Sequence, residues 1–442
     1  LDMTSGRPSA LLLRFSVPLI LGNLFQQLYT FADTIIVGQK LGVTALSALG
    51  ASEWLCFMMF GLVQGMTQGF SIGISKHFGE GRNDLVQKGI FQAACVSAGA
   101  ALLVTAIGQG MLVPALKLLR TPAELFGMTR LYLEILYMGI PVSFAGNMLA
   151  AILRAFGNSR APLYAMASAS LANIFLDILF VMVLGMGIRG AAYGTLLSQL
   201  CAAVCCGLAL KKTGMAKVER ENRKPDGRMM LAQIRLGVPM GFQNIITAVG
   251  GLAVQSVVNG FGILFLAGYT AANKLYGLLE TAASSYGYAI STYTAQNVDA
   301  GRKDRIRSGI FSALVIGTVT ACLMSSVMAV LGRPILTLFI AGGQVNTGAA
   351  IQTGYHFLCI LAVFFPLLYA VYILRSCIQG MGNSTMSMLS SLIQVVMRIV
   401  CASAVTGLIG NTGVFWGEVM AWLGADLFLA SSLLYRYKRL EI

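Results

Sequence analysis

Charge is scarce in this sequence. Only 11% of its 442 residues are Asp, Glu, Lys or Arg, less than half of the roughly 25% found in an ordinary soluble domain. So few charges cannot coat several globules, which excludes the two or three soluble domains that the length would allow. Histidine is scarcer still, with His77 and His356 alone. The nine cysteines form no C-x-x-C pair and fall within or at the ends of apolar runs. Metal-ligand clusters and disulfide frameworks are therefore not expected, and the thiols are expected to pack as small apolar groups. No H-E-x-x-H motif is present, and two distant histidines supply no catalytic constellation, so nothing supports an enzyme. Acids are in the minority, 17 against 31 Lys and Arg, for a formal net charge of +14. In a soluble protein that excess would suggest nucleic acid; in a membrane protein it would suggest basic cytoplasmic loops.

What is plentiful is apolar surface. Hydrophobic residues make up 57% of the chain and the mean hydropathy is +0.76. A helix needs about 20 mostly apolar residues to cross a bilayer. Twelve such stretches follow one another, near 13–36, 46–73, 87–112, 129–152, 161–184, 191–210, 231–256, 263–291, 308–331, 350–374, 385–408 and 414–435. Short apolar runs can be buried soluble helices, but twelve in a row cannot. The separators carry turn signals, as in Gly157-Asn158-Ser159-Arg160 and Gly382-Asn383-Ser384, and the longest polar stretch runs from Lys211 to Arg228. The sequence predicts an all-α polytopic membrane protein of 12 transmembrane helices.

The basic residues orient it. With the N-terminus inside, the inner segments hold most of them, including Arg7, Arg14, Lys76, Arg82, Arg154, Arg375 and the cluster from Lys211 to Arg235. The outer loops hold only Lys40, Lys117, Arg120, Arg130, Arg189 and Arg333, while Lys274 and Arg398 lie inside spans. This is a positive-inside pattern, and both termini are expected in the cytoplasm. No cleavable signal peptide is expected. The net charge then describes orientation, and no nucleic-acid partner is expected.

The chain is also two copies of one unit. Gly81-Arg82-Asn83-Asp84…Gly89-Ile90-Phe91 recurs as Gly301-Arg302-Lys303-Asp304…Gly309-Ile310-Phe311, a shift of 220. Pro18 matches Pro239, Pro141 matches Pro366, and the Gly-Asn-Ser turns match at a shift of 225. Six spans per copy is an even number, so both copies enter the membrane in the same direction and are related by an axis along its normal. The expected organisation is an N-terminal lobe at 1–210, a basic cytoplasmic linker at 211–230 and a C-terminal lobe at 231–442, in pseudo-twofold arrangement across a cleft. That is the geometry of an alternating-access carrier.

The run Gln26-Gln27-Leu28-Tyr29-Thr30-Phe31-Ala32-Asp33-Thr34-Ile35-Ile36-Val37-Gly38 resembles the first helix of the multidrug and toxic compound extrusion (MATE) family. So do the repeated Gly-Arg-x-Asp loops, the paired Gly-Asn-Ser turns and Ala172-Asn173-Ile174-Phe175-Leu176-Asp177. The likeness extends over the whole chain. It implies an exporter of organic, often cationic, compounds driven by inward Na⁺ or H⁺, with no cofactor beyond the coupling ion. One branch of the family carries an acid in the seventh span, where this chain has Thr247, so the resemblance is closer to the DinF-type branch, whose coupling acids sit in the N-terminal lobe. It carries Asp33, Asn173, Asp177 and Thr195 onto the family's cation-binding positions, with Gln26 and Tyr132 as neighbours.

The residues themselves point the same way. A charge at mid-bilayer costs at least about 2.5–3.5 kcal/mol, so intramembrane acids pair, protonate or line a wet cavity. Gln26, Thr30 and Asp33 share a helix face, as do Asn173 and Asp177. An acid with an amide one turn away supplies the oxygen ligands that a hard cation prefers. If both acids are buried together, their repulsion favours keeping a proton on one. The alternative is that they only cap polar contacts between helices. Their repeat equivalents, Ala253 or Val254 and Ala402, are not acids, so a coupling site is expected in one lobe only.

In the eighth span Asn273, Tyr276, Gly277, Glu280 and Ser284 form a polar stripe. It either faces a central cavity and attracts a cationic substrate, or Glu280 is neutralised by Arg398. Glu134, Glu418 and Asp426 are read as structural or interfacial. The basic linker is either solvated or touches anionic lipid headgroups. The function expected is a cation-coupled antiporter for small organic, cationic or amphiphilic substrates, monomeric, in the cell (plasma or inner) membrane. A lipid-linked-precursor flippase is the transport alternative, and a channel or receptor the alternative of another class.

Overall fold

The computed structural model describes residues 2–214, 218–340 and 347–439, and every regular element among them is helical. Residues 215–217, part of the expected linker, lie outside the described residues. Backbone amides in hydrocarbon have no water to bond, so each crossing segment must satisfy them within itself, and these apolar runs form helices for that reason.

The helices are α1 (Pro8–Gly42), α2 (Thr44–Gly79), α3 (Asn83–Leu118), α4 (Ala123–Met138), α5 (Ile140–Ala155), α6 (Arg160–Val183), α7 (Ile188–Lys212), α8 (Gly227–Phe261), α9 (Ile263–Asp299), α10 (Lys303–Ile340), α11 (Thr347–Gly380), α12 (Ser384–Ile409) and α13 (Gly413–Arg439). Ten are long and apolar enough to cross a membrane, and α4 with α5, bent by 49° at their junction, makes an eleventh span. The remaining helix, α9, has 37 residues, which is ample length, but Asn273, Lys274, Tyr276 and Glu280 dilute its apolar character. With α9 the spans number twelve, six before the linker and six after it. Large apolar side chains lie on the outside, with Leu102, Phe311, Val330 and Val363 each about 70% exposed or more. That inverts the pattern of a soluble protein and suits a lipid surround.

Structure adds to the repeat. Gly42 (φ 82°) ends the first helix of one copy and Gly262 (φ 93°) separates the first two of the other, a shift of 220 again. Both take the left-handed region that only glycine enters cheaply. The copies also differ. The bend in the fourth span falls at Gly139, just before Pro141, whereas the matching Pro366 lies inside the unbroken α11. A Cβ at Gly139 would meet the end of the Leu196 side chain at 1.9 Å, which would have to move aside; the repeat partner of Gly139 is Phe364.

The chain divides into two compact units. One gathers Val17–Ile245; the other gathers Thr4–Ser16 and the chain from Ile246 onward. The division therefore falls inside α1 and inside α8. Within the first unit α8 crosses α2 at glycine contacts: a Cβ at Gly65 would lie 2.3 Å from the Met240 carbonyl oxygen, and one at Gly69 2.4 Å from Gly237 Cα. The linker is pinned to α3 in the same unit. Gln92 Nε2 donates to the Lys224 carbonyl (2.7 Å), and Gln87 Oε1 accepts from the Glu219 amide and Asn222 Nδ2 (both 3.0 Å). In the second unit Arg305 Nη1 donates to the Gly6 carbonyl at 2.9 Å. Two basic residues expected in loops are buried inside helices instead. Arg154 in α5 donates to Gln68 Oε1 (3.2 Å), and Arg375 in α11 donates to Ser390 Oγ (3.2 Å) and Gln394 Oε1 (3.0 Å). Their helices run past the ends that hydropathy suggested, and side chains on neighbouring helices accept from both guanidiniums.

Candidate functional site

The first unit brings most of the expected coupling residues together. Asp33 on α1 is 9% exposed and Asp177 on α6 is fully buried, and the two carboxylates are within electrostatic reach of each other. Tyr132 on α4, also buried, lies within reach of both. Asn173, one turn before Asp177, is fully buried. Among the described residues, Asp33 Oδ1, both Asp177 oxygens and both polar atoms of the Asn173 amide find no hydrogen-bond partner. Leaving a buried polar group unsatisfied costs about 1–3 kcal/mol, and more for a charged one. Two carboxylates, an amide and phenolic hydroxyls offer oxygen donors, which suit a hard cation or added protons rather than a soft transition metal.

Asp177 is the last residue of the α-helical part of α6; Ile178–Val183 continue as a π-helix, a form that recurs at functional sites. On α7, a Cβ at Gly194 would sit 2.2 Å from Asp177 Oδ1, so glycine there makes room for the carboxylate. Thr195, the next residue, is half-buried. Gln26 is exposed on α1 and connects to the acids through Tyr29, which interacts with Gln26 and lies within electrostatic reach of Asp33 and Asp177. Sequence reasoning missed Tyr29 and Gly194. The spacing of Tyr29 four residues before Asp33, on one helix face, was the available signal for the first; the second needed the packing of α6 on α7.

The second unit holds a different polar cluster. Glu280 on α9 accepts from the Tyr372 hydroxyl at 2.7 Å. Arg398 on α12 pairs with Glu418 on α13 at 2.7 Å, both side chains nearly buried. Arg375 lies within reach of Arg398, Asp426 and Glu280, and both carboxylate oxygens of the buried Asp426 lack a bonded partner. Tyr276 is buried with its ring on Trp422 (6.0 Å between centroids) and its hydroxyl unbonded; Asn273 is half-buried and Lys274 exposed. The hydrogen-bonded partner of Arg398 is thus Glu418, while Glu280 takes its bond from a tyrosine. The sequence reading also expects no G-x-S-x-G motif, but Gly69-Phe70-Ser71-Ile72-Gly73 is one. It lies mid-helix in α2, with Ser71 Oγ bonded to the Gln68 carbonyl (2.8 Å), rather than on a strand-to-helix turn.

The MatE family profile matches residues 18–179 and 239–403, one segment in each copy of the repeat. The chain belongs to the MatE family. It is accordingly a multi-pass membrane transporter of a multidrug efflux family, and not an enzyme. Among similar proteins is the probable multidrug resistance protein YpnP of Bacillus subtilis (strain 168), 29% identical over 445 residues, covering 99% of this chain and 97% of that one. Another is the multidrug export protein MepA of Staphylococcus aureus (strain NCTC 8325 / PS 47), 22% identical, covering 93% and 90%. The fold matches that of a multidrug resistance MATE family transporter of the MOP superfamily in an outward-facing conformation, with a TM-score of 0.93, 20% identity, and 100% and 98% of the two chains covered. It also matches a MOP superfamily transporter from Pyrococcus furiosus, with a TM-score of 0.91, 21% identity, and coverage of 100% and 97%.

Proposed function

We propose that this MatE family member is a secondary active antiporter, exporting organic, often cationic, compounds in exchange for inward Na⁺ or H⁺. The observation that carries the reading is the set of buried, unpartnered polar atoms on Asp33, Asn173 and Asp177. A cation or protons would satisfy them, with Thr195 at the rim and Tyr132, Tyr29 and Gln26 around the acids. Ion uptake there favours one packing of the first unit and so one facing state, and the substrate competes through that equilibrium. An inward coupling charge also draws on the membrane potential, about 2.3 kcal/mol per charge per 100 mV. The stripe of Asn273, Tyr276 and Glu280 is assigned to substrate recognition, where a carboxylate among aromatic rings suits an organic cation. Relatives named for multidrug resistance and export support that substrate class. The basic residues around the linker support cytoplasmic termini in the cell membrane.

Reconstitution in vesicles tests the proposal, with a fluorescent organic cation as substrate and one ion gradient varied at a time. Gradient-driven export should be abolished by Asp33→Asn; unchanged export would overturn the mechanism. Which gradient supports export in the unaltered protein decides between Na⁺ and H⁺.

A further inference from the structure

The repeat continues into the helices that carry the candidate ion ligands. Gly190-Ala191-Ala192-Tyr193-Gly194-Thr195 corresponds to Gly413-Val414-Phe415-Trp416-Gly417-Glu418, which shifts Gly194 to Gly417 by 223 positions. The shift of 225 that aligns the Gly-Asn-Ser turns carries Asn173 to Arg398. The π-helical turns, Ile178–Val183 in α6 and Cys401–Val405 in α12, are offset by 223, which places Arg398 between the positions of Asn173 and Asp177. In both units the glycine of the later helix packs on the earlier one near this change. Gly194 lies against Asp177, and Gly417 against Arg398 and Cys401. Glu418 therefore stands where Thr195 stands in the first unit, Arg398 within one helical turn of the places of Asn173 and Asp177, and the two are bonded to each other at 2.7 Å.

We propose that Arg398 is a tethered cation filling a second, repeat-related cation site, so that this site takes up no mobile ion and exchange is left to the first unit. The inference builds on the reading of Asp33, Asn173 and Asp177 as the mobile-ion site. The guanidinium is 8% exposed, within electrostatic reach of Glu280 and Tyr276 as well as Glu418. Tyr276, itself nine-tenths buried, lies within electrostatic reach of both Arg398 and Glu280. The pocket is thus anionic and aromatic around a covalently held positive charge. Delocalised and planar, a guanidinium is the cation best matched to a carboxylate fork. Such a site, emptied of its own side chain, selects free guanidinium or methylguanidinium over K⁺.

The experiment is thermal unfolding of the purified full chain in detergent, with millimolar methylguanidinium or an equal concentration of KCl. Arg398→Ala should be stabilised by methylguanidinium by about 3–6 °C beyond KCl at saturation. The unaltered protein and the double variant Arg398→Ala/Glu418→Gln should show no such difference. Equal shifts in all three proteins, or a shift that survives in the double variant, would overturn the proposal. If Arg398→Ala folds only when methylguanidinium is present throughout expression and solubilisation, that rescue supports it. If it fails to fold with or without the ion while the double variant folds, no cation site exists there and the proposal fails. None of these measurements involves transport or Asp33, so failure here leaves the first-unit coupling reading to its own vesicle test.

Discussion

The first unit buries two carboxylates and an amide, five of whose polar atoms find no hydrogen-bond partner among the described residues, while the second sets three carboxylates against two guanidiniums and a tyrosine hydroxyl. The helices that carry Asp177 and Arg398 correspond, and each turns π-helical just beyond them, whereas Asp33 on α1 and Glu280 on α9 stand on helices that do not correspond. Duplication created two copies of one framework, and the side chains have since parted. An acid pair without a counter-ion is a standing cost that a mobile cation or proton relieves, so its free energy depends on what the solution supplies. Acids with built-in counter-ions carry no such dependence. Breaking such a pair by removing one partner is costly, because the remaining charge is left buried. Under the proposed function, the first unit would be the one that responds to an ion gradient, and the second the one that holds its shape.

The largest effect should come from removing the responsive half. Asp177→Asn keeps the side-chain volume and abolishes the charge; vesicle export under an imposed ion gradient should fall at least tenfold, while Asp426→Asn in the second unit should leave it within about twofold. Equal losses from both would erase the distinction. Next in size is the neutralised half. Arg398→Ala strands Glu418, and thermal or chemical unfolding should show a loss of about 3–5 kcal/mol. Replacing both partners by Met should recover most of it, since well-packed apolar residues can stand in for a buried pair.

Much of this comparison was open to the sequence, and what was hidden had a physical reason. Spans declare themselves because each must hold about 20 apolar residues, and α9, the least apolar, was still found by length and by the repeat. Asp33 and Asp177 stood out because acids in such runs are expensive. The pairing of Arg398 with Glu418 did not, because the two lie on successive helices and no period in sequence connects them. The burial of Arg375 was hidden because hydropathy ends a span at the first charge, whereas the helix continues wherever Ser390 and Gln394 receive that charge. The Gly139 bend was hidden because the neighbouring proline recurs in the second copy while the glycine does not.

Gly194 and Gly417 allow the comparison to be tested with one methyl group. At Gly194 an added Cβ would lie 2.2 Å from Asp177 Oδ1, whereas at Gly417 the nearest atoms are at ordinary contact distance, 3.6 Å. Gly194→Ala should therefore push the carboxylate aside, lower the affinity for the coupling ion and cost about 1–3 kcal/mol of stability. Gly417→Ala should be within about 0.5 kcal/mol of the unaltered protein. Ion-dependent thermal shifts on both variants measure the pair directly, and matching behaviour would mean that Asp177 has space to move that its packing denies.

The smallest effect concerns the joint rather than the sites. Gln92 holds both the Lys224 carbonyl (2.7 Å) and the Asp226 amide (3.2 Å), so one side chain fixes the linker backbone on both sides of Pro225. Gln92→Ala frees both groups where water can replace the lost bonds, which limits the loss to about 0.5–1.5 kcal/mol per bond at most. Limited proteolysis should then cut between Lys211 and Arg228 several-fold faster, with a modest fall in thermal stability. A cut rate equal to that of the unaltered protein would mean that Gln87, through the Glu219 amide and Asn222, holds the linker alone.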